Sequence, residues 1–339
     1  MIGYYIHHHG RGHLHRALCI AAHASYPVTG LSSLERPPEW TGPWVHLPLD
    51  TGATAYEDLE GGGRLHWAPL RHPGYQDRMS RIAEWVAKTR PSLLVSDVSV
   101  EVAGLTRLLG VPVVVAAMRG DRFDAAHRFA YDLAQALLAP WPAELAEPGW
   151  PDAWRSKAVH TGAFSRHDRR PTDVVRTGTR PRVLVLLGNG GSHIGPRQFD
   201  IAQQATPQWE WQVLGGSTAW SDDPWPTLCA ADVVVTHAGQ NAVAECAAAR
   251  KPTVVLPQER PFGEQLATGR ALTRGRLAVV RESWPAPHEW PGVLAEARRL
   301  GGEGWSRWSP GDGAQRAAAC LDELVHSARK GSSSCLARQ

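Results

Sequence analysis

A run of β-branched residues that ends in a polar turn constrains the fold of this 339-residue chain most strongly. Residues 233–236 read Val-Val-Val-Thr, and His-Ala-Gly-Gln-Asn follows at 237–241. A short, continuously apolar run is typical of a strand buried in a parallel sheet, and the polar turn after it starts a helix. The first N–H groups of a helix have no partner within the helix and can bind an anion. The pattern therefore predicts an α/β protein with a phosphate-binding turn at the end of this strand.

The side chains of this turn suit a nucleotide. Gly239 lets the backbone approach a phosphate, and His237 and Asn241 can donate hydrogen bonds to its oxygens. Glu245 follows Asn241 by one helical turn and offers carboxylate acceptors to a ribose diol. A strand, a glycine turn and a carboxylate occur in many α/β proteins, so these residues alone are a weak signal.

The residues that follow extend the motif. Pro252 and Pro257 come after Glu245, and Glu264 and Gln265 lie seven and eight residues beyond the second proline. This run resembles the donor-binding motif of inverting glycosyltransferases with two Rossmann-like domains, the GT-B fold. The wide final spacing is similar to family 28, which includes the peptidoglycan-precursor N-acetylglucosaminyltransferases, more than to the plant UDP-glycosyltransferases. The resemblance implies a UDP-sugar donor whose sugar hydroxyls contact the acidic–Gln pair.

Length and composition agree with two α/β domains whose parallel sheets face a central cleft. A chain of 339 residues can form two domains with separate cores, and 43% apolar with 20% charged residues indicates a globular protein. The chain shows neither a signal peptide nor an apolar run of the ~18 residues that a membrane span needs. We therefore expect a cytoplasmic protein, and peripheral contact with the inner face of the membrane stays open.

Charge and cysteine content exclude other classes. The net charge of +3 comes without basic clusters interleaved with aromatic residues, so we expect no nucleic-acid partner. The five cysteines are odd in number and lack Cys-x-x-Cys spacing, which argues against a disulfide framework and a zinc site.

Strand-like and helix-like segments alternate in both halves of the chain. The predicted strands lie at 2–6, 93–96, 111–116, 182–187, 209–214, 233–236, 253–256 and 277–280. We interpret 1–165 as an acceptor-binding Rossmann-like domain, 166–181 as a linker, 182–310 as the nucleotide-sugar-binding domain and 329–339 as a disordered tail. The resemblance implies that the helix at 311–328 crosses back to the first domain. The Pro- and Gly-rich stretch 37–73 is predicted to be irregular.

A histidine-rich turn, His-His-His-Gly-Arg-Gly-His at 7–13, follows the first predicted strand. In α/β domains ligands bind beyond the carboxyl ends of such strands. A similar turn in GT-B enzymes faces the acceptor and ends in a histidine, so the resemblance implies that His13 is the general base and that Gly10 and Gly12 belong to the acceptor loop. Asp97, at the end of the predicted strand 93–96, is the candidate to orient this imidazole.

Metal binding is the competing interpretation of this turn. Five histidines lie within residues 7–15, but Gly10 and Gly12 disfavour a helix that would align them, and no carboxylate lies within the run. Because His15 replaces the third glycine of a dinucleotide fingerprint, a nicotinamide or flavin cofactor is also disfavoured. We therefore predict neither a metal site nor a cofactor.

Two further segments resemble donor-binding elements of the family. Gly190, Gly191 and Ser192 follow the second domain's first predicted strand and resemble the loop that closes over the donor diphosphate. Gly162 and Arg166 match the Gly-x-x-x-Arg of family 28, which implies that Arg166 contacts the nucleotide.

The resemblance implies a metal-independent hexosyl- or N-acetylhexosaminyltransferase that inverts the anomeric carbon. It also implies an acceptor hydroxyl on a glycan, a lipid-linked sugar or a natural product. Residues 10–13 differ from the Gly-x-Gly-Gly-His of the peptidoglycan enzymes, so that pathway is not assigned. Two alternatives stay open, a UDP-N-acetylglucosamine 2-epimerase and a non-catalytic nucleotide-sugar-binding protein.

Overall fold

The chain forms two parallel β-sheets flanked by helices, as seen in a computed structural model that describes residues 1–52, 56–172, 178–188, 194–216, 221 and 223–336. The first sheet has the order β3-β2-β1-β4-β5-β6-β7 and the second the order β12-β11-β10-β8-β9. Every strand pairing in both sheets is parallel. The predicted α/β fold is confirmed.

The strands of the first sheet are β1 Ile2–Tyr5, β2 Val28–Ser32, β3 Trp44–His46, β4 Leu93–Asp97, β5 Val113–Ala116, β6 Ala136–Ala139 and β7 Ala158–His160. Its helices are α1 Gly12–Ala21, α2 Pro73–Thr89, α3 Val100–Leu108, α4 Ala125–Leu133 and α5 Asp152–Arg155. The second sheet consists of β8 Arg182–Leu186, β9 Glu210–Leu214, β10 Val233–Thr236, β11 Thr253–Val255 and β12 Val279–Val280. The helices after β8 are α6 Pro196–Ala205, α7 Trp225–Ala230, α8 Gln240–Ala248, α9 Glu264–Gly275, α10 Trp290–Leu300, α11 Trp305–Trp308 and α12 Gly313–Leu336. Three short 3₁₀ helices, Ala143–Leu145, Pro261–Gly263 and Pro287–Glu289, complete the elements.

The order of the strands determines where a ligand can bind. In the first sheet the chain proceeds from β1 to β3 in one direction and restarts at β4 on the other side of β1. In the second sheet β10 lies on the opposite side of β8 from β9. Open parallel sheets bind ligands where the strand order reverses, at the carboxyl ends of the strands. The fold therefore places the loops after β1, β4 and β10 at such points.

The last helix packs on the first domain. Leu321 and Val325 of α12 are fully buried in one apolar cluster with Leu14 and Ile20 of α1. The sequence predicted that this helix ends at residue 328, but α12 continues to Leu336. No proline interrupts 314–336, so nothing in the backbone forces an earlier end.

Truncation of a buried contact of α12 is expected to destabilise the protein. Leu321→Ala removes a side chain with no exposed surface and should lower the free energy of unfolding by about 2–5 kcal/mol. Leu108→Ala is the control, because this leucine is 84% exposed and its loss should have little effect. Denaturant titrations of both variants measure the difference, and equal midpoints would contradict the packing of α12.

Four strands of the first sheet were not predicted from the sequence: β2, β3, β6 and β7. β3 lies inside the stretch 37–73 that was predicted to be irregular, and it pairs with β2 through Leu31 and Val45. β6 reads Ala-Leu-Leu-Ala, a sequence that favours helix over strand, so tertiary pairing with β5 and β7 decides its conformation.

The start of the linker contains a half-buried carboxyl group, that of Asp168. Asp168 Oδ2 accepts a hydrogen bond from the backbone N–H of Ser165 at 2.9 Å. Burial raises the pKa of Asp168 to about 6, against the lowering effect of that hydrogen bond. The folded state therefore holds this proton at pH values where an unfolded aspartate, with a pKa of about 3.9, has released it.

This shift predicts how stability responds to pH. Because the folded pKa of Asp168 lies above the unfolded one, its contribution is fully present below pH ~4 and is lost as the pH rises to about 6. Asp168→Asn carries no ionisable group and can still accept from Ser165. The variant should gain stability relative to the parent above pH ~6 and show a smaller gain below pH ~4. Thermal unfolding of both proteins at the two pH values measures this, and a pH-independent difference would contradict it.

Candidate active site

The loops after β1 and β10 face each other across a cleft. Added to Gly12, a Cβ atom would lie 2.9 Å from Nδ2 of Asn241, so the predicted acceptor loop approaches the start of helix α8. Arg16 of α1 crosses the same cleft and donates from Nη2 to Oε1 of Gln240 at 2.6 Å. The predicted acceptor and donor residues therefore belong to one site.

His13 and Asp97 are in contact at the end of the first sheet. His13 lies in the first turn of α1, and its Nδ1 is 2.9 Å from Oδ1 of Asp97. Because a carboxylate only accepts hydrogen bonds, the neutral form of this ring carries its proton on Nδ1 and has its lone pair on Nε2. A histidine in this state can remove a proton from a hydroxyl group.

Asp97 is fully buried, and its charge is compensated. Burial by itself would raise the pKa of Asp97, but the charges of Arg16 and His13 and the hydrogen bond from His13 outweigh burial and hold the pKa below its ordinary value. Arg16 Nη1 lies 3.3 Å from the carboxylate and Tyr4 OH lies 3.4 Å from it. The carboxylate therefore remains ionised at neutral pH and can stabilise an imidazolium.

Arg16 is a site residue that the sequence analysis missed. Its side chain is 6% exposed and connects Asp97 in one domain to Gln240 in the other. A signal was present, because Arg16 follows His13 by three residues and residues at this spacing share one face of a helix.

The other N-terminal histidines surround His13. His7 Nδ1 accepts from the backbone N–H of His9 at 3.1 Å, and the His7 ring lies 4.8 Å from that of His8 and 5.6 Å from that of His13. Burial, together with the charges of the neighbouring histidines, lowers the pKa of His7 to about 3. His7 is therefore neutral at physiological pH. Gly10 has φ +72, a left-handed conformation that favours glycine in this loop.

The turn after β10 is built around His237. Its Nδ1 accepts from the backbone N–H of Gly239 at 2.9 Å, and burial lowers its pKa to about 4. The neutral ring therefore carries its proton on Nε2, which would lie 2.8 Å from a Cβ added to Gly188. A Cβ at Gly239 would lie 2.3 Å from Cε1 of His237, so this glycine accommodates the ring. The ring thus presents an N–H donor towards Gly188.

Gln265 supports this turn from within the protein. Its Oε1 accepts backbone N–H groups from Ala238 at 3.1 Å and from Gln258 at 2.9 Å, and the residue is 4% exposed. The predicted contact of Gln265 with sugar hydroxyls would therefore have to come from its Nε2, which lies 3.4 Å from Nδ1 of His237. Glu264 is more open, lies 4.0 Å from Arg122 and lines the large cavity of the cleft.

Glu245 and Arg166 form an ion pair on the donor side. Arg166 Nε lies 3.3 Å from Oε1 of Glu245, and His167 Nε2 lies 3.8 Å from the same oxygen. Burial raises the pKa of Glu245, whereas Arg166 lowers it. Glu245 and Asn241 line a small pocket with Arg166, so three of the predicted donor residues lie together. Gly190, Gly191 and Ser192 lie outside the described residues.

Solved glycosyltransferases share this fold along almost the whole chain. The glycosyltransferase of kitacinnamycin matches with a TM-score of 0.64 and 16% identity, over 95% of this chain and 98% of that one. CalG4, the calicheamicin glycosyltransferase, matches with a TM-score of 0.61 and 17% identity, over 96% and 98% of the two chains. MurG of Acinetobacter baumannii matches with a TM-score of 0.58 and 15% identity, over 96% and 99%. The chain has the GT-B glycosyltransferase fold.

Part of the second domain also matches a known sequence family. Residues 201–277 match the glycosyltransferase family 28 C-terminal domain, which confirms the resemblance found in the motif after β10. A comparison with curated proteins found no match. No helix within the described residues is long and apolar enough to cross a membrane.

The GT-B cleft contains a cavity of about 910 Å³. His13 lies in its wall on the side of the first domain, and Phe262 and Glu264 enter it from the second domain. Phe262 O accepts from the backbone N–H of Asp121 at 2.8 Å, which joins the domains at the edge of the cavity. The candidate base and the candidate sugar-binding carboxylate therefore share one space.

Proposed function

We propose that this chain is an inverting, metal-independent glycosyltransferase that moves a sugar from a UDP-sugar to an acceptor hydroxyl. The observation that carries the proposal is the His13–Asp97 contact of 2.9 Å, at the point where Gly12 meets Asn241 of the donor-side helix. A general base and an anion-binding helix start facing each other are what a direct displacement requires.

In this mechanism His13 Nε2 removes the proton of the acceptor hydroxyl as its oxygen attacks the anomeric carbon. Asp97 stabilises the imidazolium that forms. The diphosphate leaves towards the start of α8, where backbone N–H groups, the Nε2–H of His237 and the predicted contact from Ser192 compensate its charge. Attack from the side opposite the leaving group inverts the anomeric configuration.

Donor recognition is assigned to the second domain. Glu245 accepts the ribose hydroxyls, with Arg166 holding its carboxylate, and Glu264 accepts hydroxyls of the sugar. The same contacts suit a hexose or an N-acetylhexosamine, and both are included in the proposal.

Removal of Glu245 is expected to weaken nucleotide binding. Glu245→Ala loses hydrogen bonds between a carboxylate and the ribose and should lower the affinity for UDP by about 10- to 100-fold, since a charge-assisted hydrogen bond contributes about 1.5–3 kcal/mol. A thermal-shift screen with UDP, dTDP, GDP and their sugars measures this. Glu303→Ala, at an exposed glutamate, is the matched control. Equal UDP shifts in both variants would contradict the assignment of Glu245.

The two alternative functions, epimerase and non-catalytic binding protein, can be distinguished from a transferase by assays of the same purified protein. A 2-epimerase converts UDP-N-acetylglucosamine to its C2 epimer in the absence of an acceptor. A non-catalytic nucleotide-sugar-binding protein shows a thermal shift with the donor but neither transfers nor hydrolyses its sugar.

A further inference from the structure

A second His–Asp pair lies in the wall of the cavity that contains His13. His66 Nε2 is 3.0 Å from Oδ1 of Asp124, and both His66 and His127 line the cavity. His127 Nδ1 contacts the other oxygen of Asp124. The proposed mechanism uses none of these three residues.

The three side chains have the spacing of a metal site, with their ligand atoms within 4.8 Å of one another. Hydrogen bonding from Arg122 argues against this use. Arg122 Nη1 lies 3.2 Å from Nε2 of His127, and a guanidinium can only donate, so Nε2 holds no proton. A neutral imidazole must then carry its proton on Nδ1, where it donates to Asp124 and cannot bind a metal ion.

The charges around Asp124 agree with this assignment. Burial and the charge of Arg122 outweigh the effect of Asp124 and together lower the pKa of His127 to about 4, so the ring is neutral. Burial would raise the pKa of Asp124, but hydrogen bonds from His127 and His66 outweigh it and lower the pKa. Asp124 is therefore an ionised acceptor that binds an N–H from each histidine.

His66 is left with an acceptor atom. In the neutral form of the ring Nε2–H donates to Asp124 and Nδ1 has the lone pair, and no hydrogen bond among the described residues uses Nδ1. The ring is held by His127, with ring centroids 4.4 Å apart, and by Phe262 of the second domain at 5.3 Å. His66 thus resembles His13, a fixed imidazole with a carboxylate on one nitrogen and a free lone pair on the other.

The cavity between the two histidines is suited to an apolar molecule. Its volume of about 910 Å³ lies within the range of about 300–1,000 Å³ typical of small-molecule sites. Its wall includes Trp67, Tyr75, Met79, Val115 and Tyr131. Apolar atoms form most of the exposed wall, and ionisable side chains such as Arg78, Glu101 and Arg122 interrupt it. Such a wall selects a largely apolar ligand whose few polar atoms meet those groups.

We propose that the acceptor is a rigid, largely apolar molecule with two hydroxyl groups, one at His13 for transfer and the other donating a hydrogen bond to Nδ1 of His66. This inference rests on the proposed function, because it takes the cavity as the acceptor site. His66 acts as a specificity-determining residue that selects the orientation of the acceptor and hence the hydroxyl that is glycosylated.

Calorimetric titration with matched pairs of phenols tests this proposal. The probes are biphenyl and stilbene bisphenols with a para hydroxyl on each ring, each compared with the analogue that lacks one hydroxyl. The parent protein should bind one of the bisphenols roughly tenfold more tightly than its monohydroxyl analogue, as one hydrogen bond contributes. His66→Phe keeps an aromatic ring without the lone pair and should bind both members of the pair alike. His46→Phe, at an exposed histidine, should behave as the parent.

Three results would overturn the proposal: an undiminished preference for the bisphenol in His66→Phe, no binding of any bisphenol by the parent, or zinc binding by the parent that is lost in His66→Phe. UDP binding is measured in the same samples. If the parent does not bind UDP, the proposed function itself is rejected. If His66→Phe still binds UDP, the variant is folded, and any change in its phenol binding arises in the acceptor cavity.

Discussion

His13→Ala is expected to lower the rate of sugar transfer about 10²–10⁴-fold at saturating donor. The acceptor hydroxyl then has no base at the position where His13 Nε2 keeps its lone pair. UDP binding should be unchanged, because His237 and Glu245 contact the nucleotide in the proposed mechanism and His13 does not. Release of UDP from a UDP-sugar measures the rate, and the thermal shift with UDP measures binding.

His9→Ala is the matched control for this variant. His9 belongs to the same turn and lines the same cavity, but its side chain is exposed. It should keep most of the parent's rate. Equal losses in His9→Ala and His13→Ala would indicate that the turn as a whole, and not one base, supports the reaction. A His13→Ala protein with the parent's rate would remove the base from the mechanism.

Asp97→Asn is expected to lower the transfer rate by a similar factor, about 10²–10⁴-fold. Asparagine keeps the size of the side chain but carries no charge to stabilise the imidazolium. Its amide can donate to Nδ1, which would place the ring proton on Nε2 and block proton removal. The change also deprives the buried Arg16 of the carboxylate 3.3 Å away.

A loss of folding would mimic this result, so a second measurement separates the two. If Asp97 acts through His13, the Asn variant should bind UDP like the parent and show an altered pH dependence of the rate. Asp152→Asn changes a carboxylate that is 94% exposed and should alter neither property. Parallel loss of UDP binding and rate in Asp97→Asn would assign Asp97 a structural role alone.

The sequence predicted the elements whose residues are locally consistent with their final structure. β10 spans Val233–Thr236, as predicted, because four consecutive β-branched residues favour a buried parallel strand. β7 was missed, since its three residues Ala-Val-His show no periodicity and their pairing with β6 decides their conformation. Long-range pairing is a property of the whole sheet, which a window of sequence does not contain.

The same difference applies to the site. Spacing within one loop and helix was enough to propose His237, Gly239, Asn241 and Glu245, because all four lie on one continuous segment that runs from the end of β10 into α8. Asp97 could be proposed as the partner of His13 because it lies at the end of a predicted strand. The network of Arg16, Asp97 and Gln240 joins residues from both domains, so it could be recognised only in the folded structure. His66, Asp124 and His127 carried no signal in the sequence, since a loop and helix α4 bring them together only at the cavity wall.

Inversion at the anomeric carbon by a His13-dependent reaction is the central claim, and proton NMR of slow donor hydrolysis tests it most directly. With water as the acceptor, a UDP-α-sugar should yield UDP and a free sugar that appears first as the β-anomer, and His13→Ala should abolish this release. First formation of the α-anomer, conversion of the donor to its C2 epimer, or donor turnover that does not depend on His13 would contradict the account.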